Sequence, residues 1–468
     1  MLTICISGQN WTNPLTYPAY FLHTMAALGK FHFTSNEVRY FKIEEFFMSF
    51  VRNADKIPAH LPKRLTISFP IWGLYDTDES GAYHDIDKMM REHVERGFNC
   101  IRLDDGAGLI HDCDGKLRGK VVFGQIFGEH DRTMRQFGAT GEPGLCDIHG
   151  RLIAFFEAAK RHGIYVILSS WYYLHTCWFL KDRKLNKELH DIPPLERFQA
   201  FAEYLHYILV ELEDRGLDTQ IAFAEIFNEA DGLRFVNGYG ENNLSDAEIA
   251  VFREKHEAAI AWLKERHPHI LFAFDSWSYY PDVRQAPTNL EVLNFHNYFL
   301  WRVYDYLEAD ESLLGSTRIS KEEIEALADS DNIPDYGWYN RVYFYANLDS
   351  EKIPFVEEKM ISYLKKHIED FKGKVNRSVA DLKGILEKHF PNVPVVCGEG
   401  VTYSGGYKLL WEEKSEEYWE LVKEMVILYR EAGLWGTVIR TCSGPEDPSW
   451  NLCPQKLLEM NKIFLGND

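Results

Sequence analysis

Eight short runs of β-branched and aromatic residues, separated by longer stretches of helical period, constrain the fold of this chain more than any other feature. They read LTISFP (65–70), FNCIRL (98–103), YVILSSW (165–171), IAFAEIF (221–227), ILFAFDSW (270–277), EVLNFHNY (291–298), VPVVCGE (393–399) and GTVIRTC (436–442). Such alternation is the pattern of βα units and a parallel sheet. Most runs follow a helical stretch that ends in a basic residue and then Gly or Pro, as in REHVERGFN, AAKRHGIY and ILEKHFPNV. The cation meets the negative end of the helix dipole, and the Gly or Pro stops propagation. Phe198, Phe201, Leu205, Ile208, Leu209 and Leu212 keep the spacing of a helix with one buried face, and Ser245 to Glu248 fits a capping box.

Eight strands joined mostly by helices point to a closed (β/α)8 TIM barrel over residues 65–468. The connections at 104–150 and 299–392 exceed simple βα loops and are expected to carry long insertions over one face. Residues 1–64 are expected to form an N-terminal extension packed on the barrel. No GxGxxG or GxxxxGK stretch follows a strand, which removes the usual dinucleotide and P-loop readings.

Composition narrows the function. A formal charge of -20 over 468 residues disfavours nucleic acid and anionic membrane surfaces as partners. No stretch approaches the ~18 apolar residues of a membrane span, and the opening MLTICISGQNWTNP lacks a basic segment and a long apolar run, so a cytoplasmic location is expected. The eight cysteines form no CxxC pair and read as small apolar residues in a reducing compartment. The 12 Trp and 25 Tyr hint at sugar faces, although large cores use them too.

In a parallel barrel the C-terminal ends of the strands converge on one mouth. Asn228 and Glu229 end the fourth run and Glu399 ends the seventh, so the two carboxyls should face each other there. One carboxyl that protonates a leaving oxygen, opposite another that attacks an anomeric carbon, is the requirement for cleaving a glycosidic bond. Arg102, ending the second run, is placed to stabilise the ionised one. Asp275, Ser276 and Trp277 end the fifth run and should face the same mouth.

These motifs resemble the cellulase-like members of the clan of retaining glycoside hydrolases with (β/α)8 barrels, nearest to glycoside hydrolase family five, over roughly residues 65–445. The resemblance implies that Glu229 is the acid/base, that Asn228 donates to the sugar 2-hydroxyl, and that Glu399 in CGEG is the nucleophile. GFNCIRL resembles the clan's strand-two motif and supplies Arg102. FHNY resembles the strand-six His-x-Tyr and supplies His296, to orient the acid or the sugar, and Tyr298, to hydrogen-bond the nucleophile. The family's strand-three His and strand-eight Trp are missing, since the chain reads SSWYYL and VIRTCSG there; Trp171 and Trp450 are the candidates to replace the sugar platform, and Trp277 is a further sugar contact.

Plainer roles stay open for two of these residues: Arg102 as the partner of Asp104 or Glu399 in a structural ion pair, and His296 as a satisfied core histidine. Neither YDTDES (75–80) nor HDCD (111–114) has the ligand spacing of a known metal loop, and the first strand lacks the His-x-His of a metal-dependent barrel hydrolase, so no metal and no other cofactor is expected. The expected partner is a carbohydrate substrate. The function expected is retaining hydrolysis of β-linked glycosides or oligosaccharides, with a catalytically inactive carbohydrate-binding barrel as the alternative. The long insertions favour a pocket, and a cytoplasmic location favours short substrates.

Overall fold

The computed structural model describes residues 50–70, 72–76, 81–124, 144–232, 244–309, 348–401 and 409–467. Eight strands close a parallel barrel: β1 (Leu65–Ser68), β2 (Cys100–Asp104), β5 (Tyr165–Ser169), β6 (Ile221–Glu225), β7 (Phe272–Ser276), β8 (Val292–Asn297), β9 (Val395–Gly400) and β10 (Gly436–Val438), with β10 returning to pair with β1. All eight runs of the sequence therefore fold as barrel strands. The outer layer holds α1 (Ile86–Glu95), α2 (Ile148–His162), α3 (Arg197–Asp214), α4 (Asp246–Arg266), α5 (Ile353–Lys366), α6 (Ile368–His389), α7 (Glu416–Glu431) and α8 (Pro454–Leu465).

The helix boundaries fall where the local chemistry puts them. Asp147 accepts from the Gly150 N–H at 2.9 Å to open α2, and Gly163, at φ 68°, closes it. Ser245 and Glu248 form the reciprocal capping box of α4. No helix lies among the described residues between β7 and β8, where Asp231 and a set of turns hold the chain instead.

The connection after β2 carries a two-stranded antiparallel unit, β3 (Val121–Phe123) with β4 (Gly144–Cys146), and the connection after β8 carries Trp301–Glu308, α5 and α6. At the opposite end Leu65, Ile67, Phe223, Val396, Trp435 and Val438 pack into one apolar plug. Residues 50–64 close over it. Arg64 donates to the Leu434 and Phe50 carbonyls at 2.8 and 2.6 Å, Trp435 Nε1 to the Pro62 carbonyl at 3.0 Å, and Asn53 Nδ2 to the Val393 carbonyl at 2.9 Å. The remainder of the expected extension, residues 1–49, lies outside the described residues.

No helix among the described residues is long and apolar enough to cross a membrane. The seven described cysteines are free thiols; five sit in the core, Cys453 is partly covered and Cys113 is exposed.

Candidate active site

The apolar plug gives way at the other end of the barrel to a cluster of charge. Arg102, pointing inward from β2 and fully buried, is its hub. Its Nε and Nη2 donate to Glu225 Oε1 at 2.8 and 2.5 Å, Nη1 to Glu399 Oε1 at 2.6 Å, and Nη2 also to Asn228 Oδ1 at 2.8 Å and Asp275 Oδ2 at 3.1 Å. Four residues at the ends of three strands thus send acceptors to one guanidinium, whose planar fork suits several carboxylates at once. The Trp171 ring lies beneath it, with the guanidinium carbon 4.5 Å from the ring centroid.

Glu399 owes its position to the glycines that flank it. A side chain at Gly398 would put its Cβ 2.4 Å from Asn294 Oδ1, and one at Gly400 would put it 2.8 Å from the Asn297 carbonyl oxygen. The register of β8 against β9 shifts between Phe295 and His296, which sets His296 beside Glu399. Tyr298 donates its hydroxyl to Glu399 Oε2, so both oxygens of that carboxyl are held.

Glu229 follows β6 with φ at 51°, in the left-handed region that a residue with a Cβ seldom adopts. Asp275 holds it there by accepting the Glu229 N–H at 2.7 Å. Val401 at φ 70° and Cys442 at φ 59° follow β9 and β10, so three of the four non-glycine residues with positive φ among those described border the mouth. Backbone held in such regions costs on the order of 1–3 kcal/mol per residue and tends to gather at functional sites.

His296 lies between the carboxyls. Its Nδ1 faces Glu229 Oε1 at 3.1 Å, and its Nε2 faces Asp275 Oδ1 at 3.2 Å and Glu399 Oε1 at 3.5 Å. A ring with acceptors on both nitrogens is an imidazolium. Burial opposes that charge, but the Asp275 and Glu399 carboxylates and the bond to Glu229 outweigh it and hold the group well above its ordinary pKa.

The carboxyls are also pushed above their usual range, which for them favours the neutral form. Burial lifts Glu225 to about 7 against the pull of Arg102, with Asp275 adding to the rise. Burial also lifts Glu399; His296 and Arg102 pull it down, while Glu229 and Asp275 raise it further. Four carboxyls face one guanidinium and one imidazolium, so a low-dielectric cluster of this kind favours retaining protons on part of the set.

The sequence candidates Arg102, Asn228, Glu229, His296, Tyr298 and Glu399 therefore stand in one cluster. Glu229 and Glu399 are 8% and 6% exposed, and Tyr298 is half-buried. Trp277 stands just past the end of β7, at the rim and 50% exposed. Two expectations need correcting. Trp171 is buried with one face given to Arg102, so it supports the guanidinium and presents no platform to a sugar. Trp450 has no exposed face at all: it stacks on Phe98 with ring centroids 5.7 Å apart, takes the Arg96 guanidinium at 4.5 Å and donates Nε1 to Glu92 at 2.9 Å, on the outside of the barrel against α1.

Asp275 and Ser276, expected to face the mouth, are fully buried behind the cluster. The open question about Arg102 is resolved in favour of Glu399, because Asp104 is occupied by Thr176 Oγ1 and the Gly106 N–H. Glu225 was missed. Its signal was present, since a lone carboxylate inside the apolar run IAFAEIF has to find a buried partner.

Among the described residues one set of groups could gather a metal ion, Glu229, His296 and Glu399, whose candidate atoms lie within 4.8 Å of one another. Those same atoms are committed to the network above, with the Arg102 cation already on Glu399 and both imidazole nitrogens facing carboxylates. Of the acidic stretches, HDCD forms an exposed turn in which Asp112 accepts the Asp114 and Lys116 N–H groups. YDTDES lies mostly outside the described residues.

Comparison with known proteins follows the same line. No curated protein matches the sequence. Among solved structures, a provisionally assigned glycoside hydrolase from Parabacteroides distasonis ATCC 8503 aligns with a TM-score of 0.61 at 17% identity, covering 86% of this chain and 93% of that one. Looser alignments include a glycoside hydrolase family 5 enzyme from Prevotella bryantii B14, with a TM-score of 0.46 at 13% identity over 87% of this chain and 97% of that one. A broad-specificity endoglucanase from an uncultured bacterium gives 0.47 at 12% identity over 91% and 100%. The Parabacteroides likeness speaks to fold alone. The model of the cellulase-like family, described as sugar-binding cellulase-like, matches residues 69–308, more than half of the sequence, and the chain belongs to that family.

Proposed function

We propose that this protein is a retaining glycoside hydrolase that cleaves β-linked glycosides or oligosaccharides by double displacement. The observation that carries the reading is a separation: an oxygen of Glu229 and an oxygen of Glu399 lie within 4.8 Å of each other. Carboxyl groups ~5–5.5 Å apart suit direct attack on the sugar, whereas inverting enzymes leave ~6.5–9.5 Å for a water.

In the first step Glu399 attacks the anomeric carbon as the glycosidic bond breaks, and Glu229 gives its proton to the departing oxygen. Water then loses a proton to Glu229 and attacks the same carbon, releasing Glu399 as a carboxylate. Arg102 and Tyr298 hold the two oxygens of Glu399, which orients the nucleophile and favours its ionised form. Arg102 also takes Asn228 Oδ1 at 2.8 Å, leaving the amide Nδ2 as the donor for a sugar hydroxyl. Trp277 offers an apolar face at the rim for a further sugar. A reducing, cytoplasmic setting belongs to the same proposal and is supported by the free thiols.

A second reading, a barrel that binds sugar without turnover, draws on the two tryptophan corrections, because neither Trp171 nor Trp450 lines the mouth. A panel of aryl β-glycosides followed by proton NMR separates the readings. The catalytic one expects the first-formed sugar to keep the β configuration. An α product contradicts the retaining mechanism, and binding of a panel sugar with no hydrolysis favours the second reading.

A further inference from the structure

Asp275 is enclosed by charge on every side. Its Oδ2 accepts the Glu229 N–H at 2.7 Å and Arg102 Nη2 at 3.1 Å, and its Oδ1 faces His296 Nε2 at 3.2 Å. Neither atom makes a hydrogen bond, and Glu399 Oε1 at 3.5 Å is the other carboxylate oxygen near Nε2. Each is a buried polar atom compensated by charge rather than by a hydrogen bond, an arrangement that holds only while the ring carries its second proton.

The next residues of the same strand end secure the same segment. Ser276 Oγ donates to Asp231 Oδ2 at 2.7 Å, and the Trp277 N–H donates to Asp231 Oδ1 at 2.9 Å. The stretch from Asn228 to Asp231 is thus fastened at Arg102, Asp275, Ser276 and Trp277. Asp275 has no exposed surface and reaches no substrate.

We propose that Asp275 is a positioning residue that keeps His296 an imidazolium between Glu229 and Glu399 and fixes the left-handed backbone of Glu229, so that one buried carboxylate sets the pH range over which both carboxyls work. The inference rests on the retaining reading for its catalytic half, but the charge state of His296 can be read without any substrate. The groups facing His296 are Asp275 from β7, Glu229 from the segment after β6, Glu399 from β9, and the Tyr298 ring at 6.2 Å from just beyond its own strand. Arg102, Glu225 and Asp231 act on Asp275 from its other sides.

Asp275→Asn keeps the shape and tests the charge. The Glu229 N–H and Arg102 both need an acceptor, so the amide oxygen takes the Oδ2 place and the NH2 group turns to His296 Nε2. Two donors then face each other, and the ring sheds its Nε2 proton while keeping Nδ1–H toward Glu229.

Nitrogen-15 NMR of the histidine rings in the full-length protein reads this directly. In the wild type, His296 is expected to keep both protons well above the ordinary histidine range, and in Asp275→Asn it is expected to be neutral with the proton on Nδ1. For a glycoside the wild type hydrolyses, the variant's kcat falls ~10²-fold with KM nearly unchanged, and the bell-shaped pH profile moves to higher pH because both carboxylates lose the imidazolium charge between them.

A wild-type His296 titrating near its ordinary value overturns the proposal, and that measurement suffices even if the variant does not fold. An imidazolium retained in the variant together with an unmoved pH profile overturns it as well. A wild type that hydrolyses and labels with no glycoside removes the catalytic reading, and the wild-type titration of His296 still decides whether Asp275 holds its charge.

Discussion

Two fully buried arginines, Arg102 and Arg440, each gather carboxylates at the same end of the barrel, yet they serve different ends. Arg440 follows β10 and pairs with Glu412, with Glu413 at 3.0 Å and with Asp447 at 3.1 Å, while the Tyr418 ring lies 5.7 Å from its guanidinium carbon. Its partners stand on the helix Trp411–Lys414 and at the cap of the helix Pro448–Leu452, and Tyr304 ties Glu412 to Trp411. Every member is sealed, so the cluster staples the connections after β9 and β10. Around Arg102 the carboxyls of Glu229 and Glu399 still reach solvent, the backbone of Glu229 is strained, and an imidazole bridges the acids. A buried ion cluster is weak evidence for function by itself. Access, strain and a titratable bridge distinguish the site from the staple.

The largest effect expected from that contrast is on turnover. Glu399→Gln removes the nucleophile while keeping a hydrogen-bonding partner for Arg102, and kcat/KM should fall by more than about 10⁴-fold with the unfolding transition little changed. Steady-state kinetics beside urea denaturation check both halves, and substantial residual activity would break the contrast. Arg440→Met should do the reverse. It leaves buried carboxylates uncompensated and costs ~3–5 kcal/mol of stability in the same denaturation experiment, while activity per folded molecule is retained.

A smaller effect concerns stability against pH. The folded state raises the Glu225 carboxyl from 4.5 to about 7, so the folded state binds that proton more tightly than the unfolded chain does. The stability linked to this group is complete below pH 4.5 and is lost as the pH rises through 7, by on the order of 3 kcal/mol. Glu225→Gln should flatten the fall between pH 4.5 and 7, measured by thermal or urea unfolding; an unchanged slope would mean that Glu225 is ionised throughout. The smallest effect is a displacement of the activity profile. Burial raises Glu399 above its ordinary 4.5, so the acid limb of kcat/KM should lie above that pH, and a limb at or below it would contradict the proposed environment of the nucleophile.

The strands were legible because a fully buried strand leaves a local mark, a short apolar run bounded by helix stops. The ordinal positions of Arg102, Glu229, His296 and Glu399 then sufficed to place them at one mouth. What stayed hidden depended on contacts between distant segments. The glycines of CGEG fit only because Asn294 and Asn297 of β8 approach them closely. Asp275 ends a strand at the mouth, but the side chains of Arg102 and His296 enclose it. Trp450 follows the last strand, yet the cap at Asp447 starts a helix that carries it outward onto Phe98 and Arg96. Trp171 stands at the predicted place and is claimed by a cation that no local pattern reveals.

The central claim is that the carboxyl held by Arg102 and Tyr298 is a nucleophile. The most direct test incubates the protein with 2-deoxy-2-fluoro aryl β-glycosides of different sugars and locates any covalent adduct by mass spectrometry of the peptides. The account expects a label on the peptide carrying Glu399, abolished in Glu399→Gln and unaffected in Arg440→Met. A label on another residue would contradict it, as would hydrolysis of the parent glycosides to the α product with no label formed.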